Sequence, residues 1–140
     1  MKNPLGAAFV LAQLVCPATA YEFPPCRPNS PSVASITTLS KAPAVLRDAL
    51  ARDVGWMAQP REDFNSTDVV DRRLPSNRLI FIFHRADTWV VATEQGGIAY
   101  NDPMLLYRLS GAKAVLLKKE VAFPNTVCTK ANALIVEHEK

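Results

Sequence analysis

Free thiols, histidines and basic clusters are all scarce in this chain, and each shortage closes off a class of chemistry. Three cysteines and two histidines in 140 residues leave little from which to build a metal site, and neither Cys-x-x-Cys nor His-x-x-x-His spacing occurs. A phosphate-cradling Gly-rich loop and a Ser-x-Gly nucleophile elbow are missing too. The expected cofactor and metal complement is therefore none. Sixteen Lys and Arg against thirteen Asp and Glu leave the charge close to balanced, with the basic residues scattered apart from Arg72-Arg73 and Lys118-Lys119. Neighbours on a strand point to opposite faces, so the second pair makes no patch, and no nucleic-acid partner is expected.

Long apolar runs are also few. The clearest, Leu5 to Val15 broken by Gln13, is too short to span a bilayer. With Lys2 before it and Ala18-Thr19-Ala20 after it, it reads as a secretory signal peptide over residues 1–20. The alternatives are a buried N-terminal helix and a lipid-modified Cys16, the latter disfavoured by the bulk of Val15 before it. Removal of the leader leaves residues 21–140 as a single small domain without a transmembrane segment, exported to a periplasmic or extracellular space. Cys26 and Cys128 then remain as an even pair and are expected to form a structural disulfide. That bridge ties a Pro-rich arm, residues 21–35, to the body of the domain.

Beyond the arm, Ala42, Val45, Leu46, Ala49, Leu50, Val54 and Met57 recur at helical spacing, with Arg47, Asp48, Arg52 and Asp53 on the other side. Ser40 is the expected cap, Pro43 suits the first turn and Gly55 ends the helix. Residues 59–77 form a long polar connection in which Ser66 can cap a short helical turn through Val69 and Val70. It contains the N-glycosylation pattern Asn65-Ser66-Thr67. The period then changes to two, and RLIFIFHR, TWVVATEQ, GIAY, PMLLYRL and AKAVLLKKEVAF read as strands divided by short turns. In the tail, Ala131, Leu134 and Ile135 suit a helix with Thr129 as cap, whereas the β-branched Ile135 and Val136 tilt the reading towards a strand. The fold class is α+β, one amphipathic helix packed on an antiparallel meander of four to five strands.

Two-residue turns at Ala86-Asp87 and Gly96-Gly97 set a register. Leu79, Phe81, Phe83, Val90, Ala92 and Glu94 then share a smooth face, the expected seat of the helix. Ile82, His84, Trp89, Val91, Thr93, Tyr100 and Asp102 share the other. This second face is either covered by the 59–77 connection and the arm or left as a groove. His84, Glu94 and Asp102 are the candidate acid–base residues, although Glu94 is expected on the opposite face from the other two. Trp89, Tyr100 and Thr93 are the candidate binding residues, because Tyr and Trp dominate binding hot spots.

These features favour an exported binding or interaction module, such as an inhibitor or an envelope-complex subunit, whose partner is another exported protein or a small ligand. The competing readings are a small hydrolase or isomerase with an acid–base pocket between helix and sheet, and a carrier with an apolar pocket lined by Phe81, Phe83 and Tyr107. Catalysis is not the leading expectation, since no complete catalytic set is visible.

Overall fold

Two-residue alternation from Asn77 to Ala122 builds a sheet because every second side chain of an extended strand meets the same layer. The computed structural model describes residues 23–138. The expected leader at 1–20 with its Cys16, the first two residues of the arm and the last two of the chain lie outside the described residues. The elements run in the order β1 (Ala34–Ile36), α1 (Ala44–Asp53), β2 (Met57–Ala58), β3 (Asn77–Arg85), β4 (Thr88–Gln95), β5 (Asp102–Ser110), β6 (Lys113–Ala122) and α2 (Val127–Glu137). The sheet order is β1-β3-β4-β5-β6, antiparallel throughout, and the two-residue β2 pairs in parallel with β3. Among the described residues no helix is long and apolar enough to cross a membrane.

The α+β architecture is as expected, but the sheet carries a helix on each face rather than one. The tail is α2, not a strand. Val127, Ala131, Leu134 and Ile135 form one buried stripe, and packing of that stripe outweighs the β preference of Ile135 and Val136. The helix starts at Val127, so Thr129 lies inside it and does not cap it. It packs on Phe81, Phe83, Val90, Ala92, Met104 and Leu106, the face expected to seat the first helix. The first helix lies on the opposite face instead, with Leu46, Ala49 and Leu50 buried against Ile82, Trp89, Val91, Leu105 and Tyr107. That second face is thus covered, though by α1 and not by the connection. The arm lies on the first face, where Phe23 and Cys26 join the core beside α2.

Local signals fail in instructive places. Ser40 falls in a short 3-10 turn, Leu39–Lys41, and Pro43 holds the position before α1 with no side-chain cap. Gly55 takes a φ of +90° where the chain leaves the helix, a conformation suited to glycine. No helical turn forms at Val69 and Val70, which are exposed. The 59–77 connection is organised by Asn65 instead. Its Nδ2 donates to the carbonyls of Asp71 and Leu74, and its Oδ1 accepts from the Asp71 N–H. Asn65 is buried and its amide is committed, so the glycosylation pattern is a structural loop anchor here.

The β3–β4 turn follows the expected register, with Arg85 opposite Thr88, His84 opposite Trp89 and Ile82 opposite Val91. A bulge at Ile80 then shifts the ladder, moving Leu79 to the α1 face and setting Arg78 opposite Glu94. The β4–β5 connection is longer than two residues, and GIAY is not a strand. Gln95 bridges to Asn101, leaving residues 96–100 as the loop. The reason lies at Gly96. A Cβ there would stand 1.7 Å from the Asn65 carbonyl oxygen, so the glycine permits close backbone approach to the 59–77 connection rather than a tight hairpin.

The disulfide forms as expected between Cys26 and Cys128, with Cα atoms 5.5 Å apart. Asn132, one turn along α2, completes the fastening. Its Oδ1 accepts from the Asn29 N–H at 2.7 Å, and its Nδ2 donates to the Arg27 carbonyl at 3.2 Å.

Candidate functional site

The longer loop changes which acids meet. Ala92 pairs with Met104 and Gln95 with Asn101, so the register between them sets Glu94 opposite Asp102, both on the α2 face. Arg78 stands on the other side of Glu94 in the same row. The three charged residues are almost wholly buried, at 7% exposure for Arg78, 2% for Glu94 and 0% for Asp102. Burial of this kind is costly unless every group is partnered.

Glu94 is fully engaged. Arg78 donates from Nε at 2.9 Å and from Nη2 at 2.6 Å to Glu94 Oε2, and the Tyr100 hydroxyl donates to Oε1 at 2.5 Å. The guanidinium is itself fixed from the connection, where Nη1 donates to the Glu62 carbonyl at 3.3 Å and the Phe64 ring lies 4.4 Å from Cζ. Desolvation, with the Glu94 hydrogen bond and charge, raises the Tyr100 pKa and keeps the phenol protonated as a donor.

Asp102 is the exception. Neither carboxyl oxygen has a hydrogen-bond partner. Burial, and secondarily the negative charge of Glu94, push its pKa up to about 7. A protonated Asp102 avoids placing a second buried anion beside Glu94.

The structure therefore brings together Glu94, Tyr100 and Asp102 from the expected residues and adds Arg78. The expectation that Glu94 lies on the opposite face from Asp102 is overturned by the length of the loop. His84 does not join them. It sits at the far end of β3 on the α1 face, stacked on Trp89 with ring centroids 4.2 Å apart and planes 10° apart. Burial lowers its pKa and favours the neutral ring. Trp89 and Thr93 are buried, and Thr93 Oγ1 donates to the Pro103 carbonyl at 3.0 Å. Arg78 escapes the sequence because the two-residue turn at Ala86-Asp87, extended without a bulge, sets it opposite Gln95. The bulge at Ile80 is the missing step.

Two cavities lie elsewhere. One of about 80 Å³ on the α1 face is lined by Asp53, Asn77, Thr93, Gln95 and Lys119 among others. Beside it the Tyr107 hydroxyl donates to Asp53 Oδ2 at 2.9 Å, tying the end of α1 to the sheet. The other, about 310 Å³, opens at the β3–β4 turn between Thr88, Arg108, Ile135 and His138. An apolar carrier pocket lined jointly by Phe81, Phe83 and Tyr107 does not form, because the phenylalanines and the tyrosine are buried in separate cores on opposite faces.

The open surface is an edge. β6 ends the sheet, ten residues long, with Val115, Leu116, Leu117 and Val121 exposed and Phe123 63% exposed just beyond it. A bulge at Leu117 interrupts its pairing with β5. Lys118 pairs with Glu120, and Lys130 of α2 donates from Nζ to the Val121 carbonyl at 2.9 Å. No family model, curated protein or solved structure matches this chain.

Proposed function

We propose that the protein is a small exported binding module that accepts an extended segment of another protein as an added strand along β6. The observation that carries this reading is the long terminal strand with exposed apolar side chains on both its faces, while α1 and α2 already cover the sheet. An open strand edge offers main-chain hydrogen bonds for affinity and side-chain contacts for selection. This moves the interaction surface from the aromatic sheet face, where Trp89 is buried, to the edge.

The chemistry of the partner follows from the side chains. β6 carries Lys113, Lys118 and Lys119 against Glu120. The lysines favour a segment that combines apolar and acidic residues. Lys130 already occupies the Val121 carbonyl, which confines the docking length to about Lys113–Glu120.

The test uses two synthetic octapeptides, one alternating Val and Glu and one alternating Val and Lys, titrated into the labelled protein. Amide shift changes confined to β6 and its neighbour β5, from the acidic peptide alone, are expected. Perturbation away from β6, equal response to both peptides, or no response at millimolar concentration would remove this reading. The acid–base alternative draws support from Asp102, whose pKa near neutrality suits proton transfer. It is opposed by the complete burial of that carboxyl.

A further inference from the structure

The loop over residues 96–100 joins β4 to β5 at the end of the sheet where the buried acids lie. Its base is closed by the Gln95 N–H to the Asn101 carbonyl at 2.8 Å and by the Asn101 N–H to the Gln95 carbonyl at 3.2 Å. The Gly96 N–H donates to the Ser76 carbonyl at 3.2 Å. Beyond that anchor, Tyr100 is the loop's tie to the sheet, through Glu94 Oε1. The tip is fully in water, with Ile98 at 95% exposure. Asp102 follows the loop directly and has neither solvent nor a donor to stabilise a charge.

We propose that Asp102 is a proton-operated latch on this loop, which stays closed while the carboxyl is neutral and opens when the proton leaves. The charges around Asp102 explain why. Glu94 faces it from β4, and Arg78 beyond Glu94 has Nε and Nη2 on the Glu94 carboxylate and Nη1 on the Glu62 carbonyl. The Glu62 carboxylate is occupied with the Gln59 N–H. Tyr100 from the loop is likewise committed to Glu94. On β6 the residue opposite Asp102 is Ala122, Glu120 on the same face pairs with Lys118, and Lys130 of α2 holds the Val121 carbonyl. An ionised Asp102 therefore adds a second anion to a site whose cation is already engaged. Water is the available relief, and the loop whose Tyr100 is held on Glu94 is the segment that yields to admit it. Release of the Tyr100 hydroxyl from Glu94 admits that water without unpacking either core. Burial that moves the carboxyl to about pH 7 puts the event within the range of an ordinary change of environment. The latch operates whether or not β6 takes a partner.

The experiment follows the Asp102 carboxyl carbon by NMR and measures amide hydrogen exchange at Gly96 and Asn101, whose N–H groups close the loop. Exchange is compared at about pH 5.5 and about pH 8.5 after correction for the intrinsic dependence of exchange on pH. In the intact protein the carboxyl is expected to titrate close to neutrality. Loop protection is expected to fall about tenfold or more across the interval, the scale of a one-unit linkage effect. In Asp102→Asn the loop stays protected at both pH values, and in Tyr100→Phe it is open at both. A carboxyl midpoint below about 5, near that of an ordinary aspartate, overturns the proposal. So does unchanged wild-type protection, or an equal loss in Asp102→Asn. Should Asp102→Asn fail to fold, the two wild-type measurements decide alone.

Discussion

Arg78 is the one cation within the buried row, and Glu94 depends on it for two of its three hydrogen bonds. Arg78→Met keeps an apolar stem but removes the guanidinium over Phe64 and strands a buried carboxylate. It is expected to destabilise the fold by about 3–5 kcal/mol, read from urea denaturation. Asp102 works in the opposite direction. Its folded pKa of about 7 exceeds the ordinary aspartate value of about 3.9, so the folded state holds the proton more tightly than the unfolded chain. Stability therefore falls as pH rises from about 4 to about 7 and levels off above that, by up to about 4 kcal/mol less whatever the opened loop recovers. Asp102→Asn should remove that slope and make the protein more stable than wild type above neutrality. Urea midpoints at several pH values give the answer, and a wild-type midpoint that rises through this interval would contradict it.

Among the elements, the junction between the 96–100 loop and the 59–77 connection has no room for added volume at Gly96. Gly96→Ala drives a methyl into the Asn65 backbone. A loss of about 1–3 kcal/mol is expected, with exchange protection lost first around residues 65–76. This junction also shows what was legible in the sequence. The β3–β4 hairpin was readable because its two-residue turn and alternating flanks agree, and Arg85 does face Thr88. At Gly96-Gly97 the same logic fails, since glycine serves both tight turns and close backbone contact, and the contact is with a residue distant in the chain. Glu94, Tyr100 and Asp102 were legible as chemistry but not as a cluster. Their meeting depends on a loop length and a bulge at Ile80 that leave no mark in local periodicity. α2 was ambiguous for a related reason, because its stripe of Ala131, Leu134 and Ile135 acquires a partner only once the sheet exists.

At the scale of the whole molecule, a covalent link fastens the arm to α2 across the sheet's first face. Cys26 and Cys128 are separated by 102 residues in sequence. In the chain-entropy model, closing a loop of this size stabilises the fold by about 4–5 kcal/mol. The Cys26→Ser/Cys128→Ser double variant should therefore melt well below the oxidised protein, and a reducing agent should lower the Tm of the wild type but not of the variant. Equal Tm values for oxidised wild type and variant would show that Asn132 and the arm contacts suffice.

The same bridge governs how the protein bears a mechanical load. A pull entering the chain ahead of Cys26 and leaving it after Cys128 crosses a Cα separation of 5.5 Å through a covalent bond. The strands between are bypassed and feel almost no tension. Stretched in a force spectrometer from handles placed outside the two cysteines, the oxidised protein should extend hardly at all. Once reduced, it should pay out the intervening chain, up to about 3.3–3.6 Å for each residue released. A tether attached through the arm would then leave the β6 edge undistorted under strain.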